Sequence, residues 1–96
     1  MRKYKIALIR EGGQDMIIFI MQPSFGLKTN EDQESTMEHL QREASDAAFP
    51  GRVVAIWQAR NRTYFRAPLL WHAYFRTPKI YAFVLANANA ELTLNL

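Results

Sequence analysis

The residues of this 96-residue chain that best suit a chemical role are arginines and aromatic residues that alternate in its second half. Arg62, Tyr64 and Arg66 are spaced two apart, and Arg60 precedes them. Because successive side chains of a strand point to opposite faces, these three would project from one face. Two guanidinium groups can then bind phosphates beside a ring on which a base can stack. With Trp57 nearby, the pattern indicates a site for RNA or single-stranded DNA.

A second group of candidates lies in the short aromatic segment over residues 69–75. His72 stands between aromatic residues, and imidazole can act as an acid or base near neutral pH. No nucleophile or carboxylate is close to it in sequence, which favours a packed or hydrogen-bonded His72 over a catalytic one. A pocket lined by aromatic side chains and holding a small ligand is the alternative. The candidate binding residues are therefore Trp57, Arg60, Arg62, Tyr64, Arg66, Trp71, His72 and Tyr74.

The remaining chemistry-bearing residues indicate no catalytic site. The two histidines are not at metal-ligand spacing, and the absence of cysteine excludes thiolate metal sites and disulfides. Gly12 and Gly13 lack the flanking residues of a phosphate-binding loop. The sequence predicts no metal and no cofactor, and it favours a binding protein over an enzyme.

The net charge of +3 is unevenly distributed along the chain. Residues 1–48 contain six basic and eight acidic residues, a net charge of −2. Residues 49–96 contain six basic residues and one acidic residue, a net charge of +5. The basic half suits a polyanion. It also suits pairing with the acidic half, within one molecule or between two copies.

The elements that must position the candidates begin with a hairpin and a helix. Strands are predicted over residues 4–10 and 16–21, on either side of a tight turn that contains two glycines. A helix is predicted to begin at Thr29 or Asn30 and to end before Pro50.

A second hairpin is predicted over residues 52–67, with a three-residue loop. That loop would place Trp57 opposite Phe65, while a one-residue slip would place it opposite Arg66. In the first case Trp57 and Phe65 share the packed face, and Tyr64 with its flanking arginines lies on the other.

The last part of the chain supports two interpretations. Thr77 and Pro78 are typical of a helix start, and helical spacing continues to about Glu91. Residues 80–84 favour a strand, however, and a third hairpin turning at residues 87–89 is the alternative. With the helix, the chain is one α+β domain over residues 1–96, with a two-layer antiparallel sheet in ββαββα order.

Two hypotheses for the function follow. Met16–Met21 is apolar at six successive positions, so both faces of this strand must be covered. Either the chain supplies a second layer or a partner subunit does. The first hypothesis is a homo-oligomer, most simply a dimer, that acts as an interaction or small-ligand-binding module. The second is a nucleic-acid-binding protein that uses the hairpin of residues 52–66.

The cellular location is predicted from what the sequence lacks. The apolar stretch after the basic start, residues 6–9, is too short for a secretion signal. There is no run of about 18 apolar residues that could cross a membrane. A cytoplasmic protein that does not contact membranes is therefore expected.

Overall fold

Five strands and three helices form within residues 2–94, which are the residues that the computed structural model describes. Two short 3-10 turns, at 23–27 and 69–71, precede the first and second helices. The α+β class predicted from the sequence is confirmed. In chain order the elements are β1 (Arg2–Glu11), β2 (Gln14–Ile20), α1 (Asn30–Asp46), β3 (Arg52–Ala59), β4 (Arg62–Arg66), α2 (His72–Phe75), α3 (Ile80–Ala86) and β5 (Ala90–Leu94).

The sheet is mixed, with strand order β4-β3-β2-β1-β5. The β2–β3 pair is parallel and the other three pairs are antiparallel. The prediction of an antiparallel sheet is therefore wrong. The reason is the connection: α1 carries the chain back along the sheet, so β3 starts at the same end as β2 and runs beside it.

Both faces of the sheet are covered by this chain. On one face, α1 and the 23–27 turn contribute Leu40, Ala44 and Phe25 to a core with the strands. On the other, the segments from Trp71 to Val84 form a second core. The two-layer arrangement is thus not confirmed. The four residues at the centre of the apolar strand, Met16, Ile17, Ile18 and Phe19, are 0–1% exposed.

The C-terminal part combines the two predicted structures. The helix predicted to reach Glu91 ends at Ala86, and β5 follows it. β5 pairs with β1, however, and not with residues 80–84 as a third hairpin would require. The asparagines after the helix explain its end, because Asn is a weak helix former. The ββαββα order is not confirmed, since α2 and β5 are additional elements, and residues 95–96 lie outside the described part.

The hairpin between β3 and β4 has a two-residue turn, not the predicted three-residue loop. Arg60 and Asn61 both have positive φ, 52° and 65°, which is typical of a type I′ turn. This turn places Trp57 opposite Tyr64, so both predicted partners of Trp57, Phe65 and Arg66, are wrong. Phe65 instead lies opposite Ile56, on the other face.

Two amide side chains complete the sheet where a neighbouring strand is too short. Gln41 of α1 accepts a hydrogen bond from the Val53 N–H (2.8 Å) and donates one to the Gly51 carbonyl oxygen (3.2 Å), beyond the end of β4. Asn89 accepts from the Leu8 N–H (2.9 Å) and donates to its carbonyl oxygen (3.3 Å), beyond the start of β5. Backbone groups that would otherwise lack a partner are thereby satisfied.

None of the helices within residues 2–94 is both long enough and apolar enough to cross a membrane.

The close approach of β2 and β3 makes Gly51 a sensitive position. Its φ is +107°, and a Cβ there would lie against the Asp15 carbonyl oxygen, well inside van der Waals contact. We expect Gly51→Ala to lower the free energy of unfolding by at least about 3 kcal/mol, through backbone strain and overpacking. Gly12→Ala is the control, because Gly12 has φ +58° and open space around it. Its cost should be about 1–2 kcal/mol. Urea denaturation measures both, and equal losses would contradict this account.

Candidate functional site

Two stacked rings form the centre of the candidate site. Trp57 on β3 and Tyr64 on β4 face each other across the hairpin, with ring centroids 6.0 Å apart and planes inclined by 15°. Trp57 is 6% exposed and Tyr64 is 42% exposed. A buried indole therefore supports a ring that remains accessible from solvent.

The 23–27 turn fixes the indole of Trp57 in place. Phe25 contacts it edge-on, with ring centroids 4.9 Å apart and an interplanar angle of 77°. A Cβ at Gly26 would lie 2.6 Å from the Trp57 Nε1 atom, so only glycine allows the backbone this close. Sequence analysis did not select Phe25 or Gly26, because no local pattern links a loop residue to a strand some 30 positions later.

Arginine side chains surround the two rings. Arg62 lies opposite Ala59, on the same face as Tyr64, and is exposed. Arg60 is exposed in the turn. Arg66 is half-buried on this face, where its Nη1 atom donates to two amide oxygens of α1, Asn30 Oδ1 (2.7 Å) and Gln33 Oε1 (3.2 Å). The two-residue spacing therefore does bring Arg62, Tyr64 and Arg66 to one face.

None of these arginines is paired with a carboxylate in the part of the chain that the structure describes. The ion pairs found there are Lys3–Glu91 and Arg10–Asp15, and the His39 ring lies 4.0 Å from the Glu43 carboxylate. The amide partners of Arg66 are neutral, so they orient its guanidinium group without cancelling the charge. Among the described residues, no carboxylate therefore lies within 4.0 Å of these guanidinium groups.

The start of α1 connects the hairpin to the 23–27 turn. Thr29 caps the helix, and its Oγ1 atom accepts from the Asp32 N–H at 3.1 Å. Gln33 donates through Nε2 to the carbonyl oxygens of Phe25 (3.1 Å) and Lys28 (3.2 Å) while its Oε1 atom accepts from Arg66. One amide thus joins the turn, the helix and β4.

An open groove of about 700 Å³ runs beside α1 from this site. It forms because β4 ends at Arg66 and leaves the start of β3 without a strand neighbour, where Gln41 forms its hydrogen bonds. Carboxylates and guanidinium groups both line it, so the groove suits polar, charged ligands. Its charged lining residues are Glu34, Glu38, Arg42, Arg52 and Arg66.

The second group of candidates lies on the opposite face of the sheet. Trp71 is 5% exposed and belongs to the core there. The His72 ring contacts Phe65 edge-on, and its Nε2 atom lies 2.9 Å from the Ala67 carbonyl oxygen. Because a carbonyl oxygen only accepts, Nε2 must carry the proton. These are the contacts of a packed, hydrogen-bonded histidine. The eight candidates are therefore not brought together, since the sheet separates Trp71, His72 and Tyr74 from the other five.

Tyr74 is the third residue of this second group, and its side chain is half-buried. Burial raises the pKa of Tyr74, and the negative charge of Glu11 raises it further.

Across the described residues, no group of three or more His, Asp or Glu is placed to hold a metal ion.

Comparison with protein-family models, with curated proteins and with solved structures found no significant match to this chain. The proposal for its function therefore comes from geometry and charge.

Because the pKa of Tyr74 is raised in the folded protein, the free energy of unfolding depends on pH. The folded state favours the neutral phenol, so this contribution to stability is complete below the ordinary tyrosine pKa of about 10. It is lost as the pH rises through the higher pKa of the folded state. We expect Glu11→Gln to lower the pKa of Tyr74 but to leave it raised, because burial is the larger cause. NMR titration of the Tyr74 ring measures the value, with Glu91→Gln as control. An unchanged pKa in Glu11→Gln would contradict the assignment.

Proposed function

We propose that this protein binds single-stranded nucleic acid on the α1-side face of the β3–β4 hairpin. We call this surface the hairpin platform. One observation carries the proposal: the exposed Tyr64 ring stacks on a buried indole, between arginines that form no ion pair with a described carboxylate. The platform consists of Trp57, Arg60, Arg62, Tyr64 and Arg66.

The chemistry of the platform fits an unpaired base and its backbone. A base can stack on Tyr64 because a ring recognises the π-face that every base has. Trp57 keeps the ring from turning away, so little conformational freedom is lost on binding. Arg62 and Arg60 are exposed at one end of β4 and available to phosphates. Stacking and charge then act on neighbouring parts of one nucleotide strand.

A single strand is favoured over a duplex because of what lies beside the platform. The long helix, α1, begins with Glu31 and Asp32 in its first turn, and an acidic helix is unsuited to the major groove. Stacking on Tyr64 also requires a base that is not already paired and stacked. The platform therefore suits RNA or DNA strands without strong sequence preference.

Self-association is the second proposal. The structural observation that supports it differs from the pattern that predicts it from the sequence. The sequence predicts it because Met16–Met21 must be covered on both faces. In the structure, α1 covers one face and the Trp71–Val84 segments cover the other. What favours association is a different feature. Leu69 and Leu70, next to α2, are 83% and 72% exposed, which is unusual for adjacent leucines.

Fluorescence anisotropy with a labelled single-stranded oligonucleotide at low salt tests the hairpin platform. We expect Tyr64→Leu to raise Kd by about tenfold, because stacking of one base contributes about 1–3 kcal/mol. Leucine keeps Trp57 covered, so the fold should survive. Replacing Arg60 and Arg62 with Gln should reduce the slope of log K against log salt by about 1.4, since each phosphate contact contributes about 0.7.

The matched control is Arg76→Gln, which removes an exposed arginine between α2 and α3, outside the platform. It should change Kd by less than about twofold. The proposal fails if the wild-type protein shows no binding at low salt, or if Arg76→Gln weakens binding as much as the platform variants do.

A further inference from the structure

A second cavity lies on the α1 side of the sheet, where β1 continues past the end of β2. Its volume is about 240 Å³, and the 23–27 turn and α1 close it from the side. Four basic residues line it, and no acidic residue does. We name this cavity the basic pocket. Its charged and hydroxyl-bearing lining residues are Arg2, Lys3, Lys5, Lys28, Tyr4, Ser24 and Thr36.

The charge of the basic pocket does not follow from composition. Residues 1–48 contain six basic and eight acidic residues, so this half of the chain is net negative. Four of the six basic residues line the pocket, and none of the eight acidic residues lines it. The fold has therefore placed basic residues of a net acidic segment around this cavity, and their positive charge attracts an anion.

The four basic residues have different roles by their position on β1. Tyr4 packs into the core on the α1 side, so Arg2, two positions earlier, lies on that side too. Lys3 and Lys5 alternate to the opposite face, where the Lys3 Nζ atom lies 3.5 Å from Glu91 Oε2. These two lysines are therefore not placed to bind a ligand on the α1 side. Arg2 and Lys28, unpaired with any carboxylate among residues 2–94, are the groups placed to contact a ligand.

The uncharged lining residues indicate a ligand that is an organic molecule with an anionic group. Met21 and Phe25, which pack on the α1 side of the sheet, supply apolar surface. Ser24 is exposed and its hydroxyl makes no hydrogen bond to another described residue, whereas the Thr36 hydroxyl already donates to the Asp32 carbonyl oxygen at 3.0 Å. The volume is slightly below the about 300–1,000 Å³ of typical ligand pockets. It therefore suits a small organic molecule.

We propose that the basic pocket binds a phosphate monoester, with Arg2 and Lys28 contacting the phosphate and the apolar wall contacting its organic part. A guanidinium group donates bidentate hydrogen bonds to phosphate oxygens, and an ammonium group adds a point charge. The ligand is either a free phosphorylated small molecule or the terminal phosphate of a nucleic acid strand. A strand terminus is a candidate because the two sites are adjacent: Phe25 lines the pocket and also contacts Trp57 of the hairpin platform.

Isothermal titration of the full chain with a nucleoside 5′-monophosphate and with the matching nucleoside tests the proposal. We expect the monophosphate to bind and the nucleoside not to bind. Replacing Arg2 and Lys28 together with Gln should weaken monophosphate binding by at least about tenfold, the loss expected for charge-assisted hydrogen bonds. The matched control replaces Arg76 and Lys79 with Gln, which removes the same charge elsewhere and should change Kd by less than about twofold.

The two sources are distinguished by a pair of oligonucleotides, one with a 5′-phosphate and one with a 5′-hydroxyl. Tighter binding of the first, lost in the Arg2/Lys28 variant, identifies a strand end as the ligand; equal binding identifies a free small molecule. Equal binding of monophosphate and nucleoside, no binding of either, or equal weakening by the control would overturn the proposal. Tyr64→Leu should leave monophosphate binding unchanged, so failure of the hairpin platform and of the basic pocket are separate results.

Discussion

The structure depends on one constraint: the two central strands, β2 and β3, are parallel and apolar on both faces. Met16–Phe19 and Val53–Trp57 are buried almost completely, so each face of the sheet needs a cover. A chain of 96 residues provides both by sending α1 across one face and the short helices α2 and α3 across the other. Because β2 occupies one side of β3, β4 pairs with the other side and lies at the sheet edge. That position leaves Tyr64 and Arg62 accessible, and the proposed binding surface is thus a consequence of how the core is covered.

The turn between β3 and β4 sets the geometry of the proposed binding surface. Positive φ at both Arg60 and Asn61 sets a register in which Trp57 supports Tyr64. A loop one residue longer would pair Trp57 with Phe65 and leave Tyr64 without a ring beneath it. The arginine at the turn therefore contributes both geometry and charge. Gln33 likewise has two roles, because its single amide group forms hydrogen bonds with both Arg66 and the 23–27 turn.

Local patterns in the sequence predict much of this fold, and the failures share a cause. The two hairpins are predicted from their turn residues, and the α1 helix from capping by Thr29 and from apolar spacing. The six successive apolar positions of 16–21 correctly predict that both faces of this strand are covered. The parallel β2–β3 pair, the partner of β5 and the contact of Phe25 with Trp57 depend on residues far apart in the chain. Spacing predicts that Arg62, Tyr64 and Arg66 share a face, but it cannot tell which face, because a single loop residue reverses it. The basic pocket is hidden by the net negative charge of its half of the chain.

The two tryptophans offer the most direct test, because Trp57 lies on the proposed binding face and Trp71 in the core of the opposite one. Their indole N–H signals can be followed by NMR while a single-stranded oligonucleotide is added at low salt, with Trp71→Phe providing the assignment. The account predicts that the Trp57 signal shifts with oligonucleotide concentration to saturation while the Trp71 signal stays in place. A shift of the Trp71 signal alone, equal shifts of both signals, or no shift of either would contradict it.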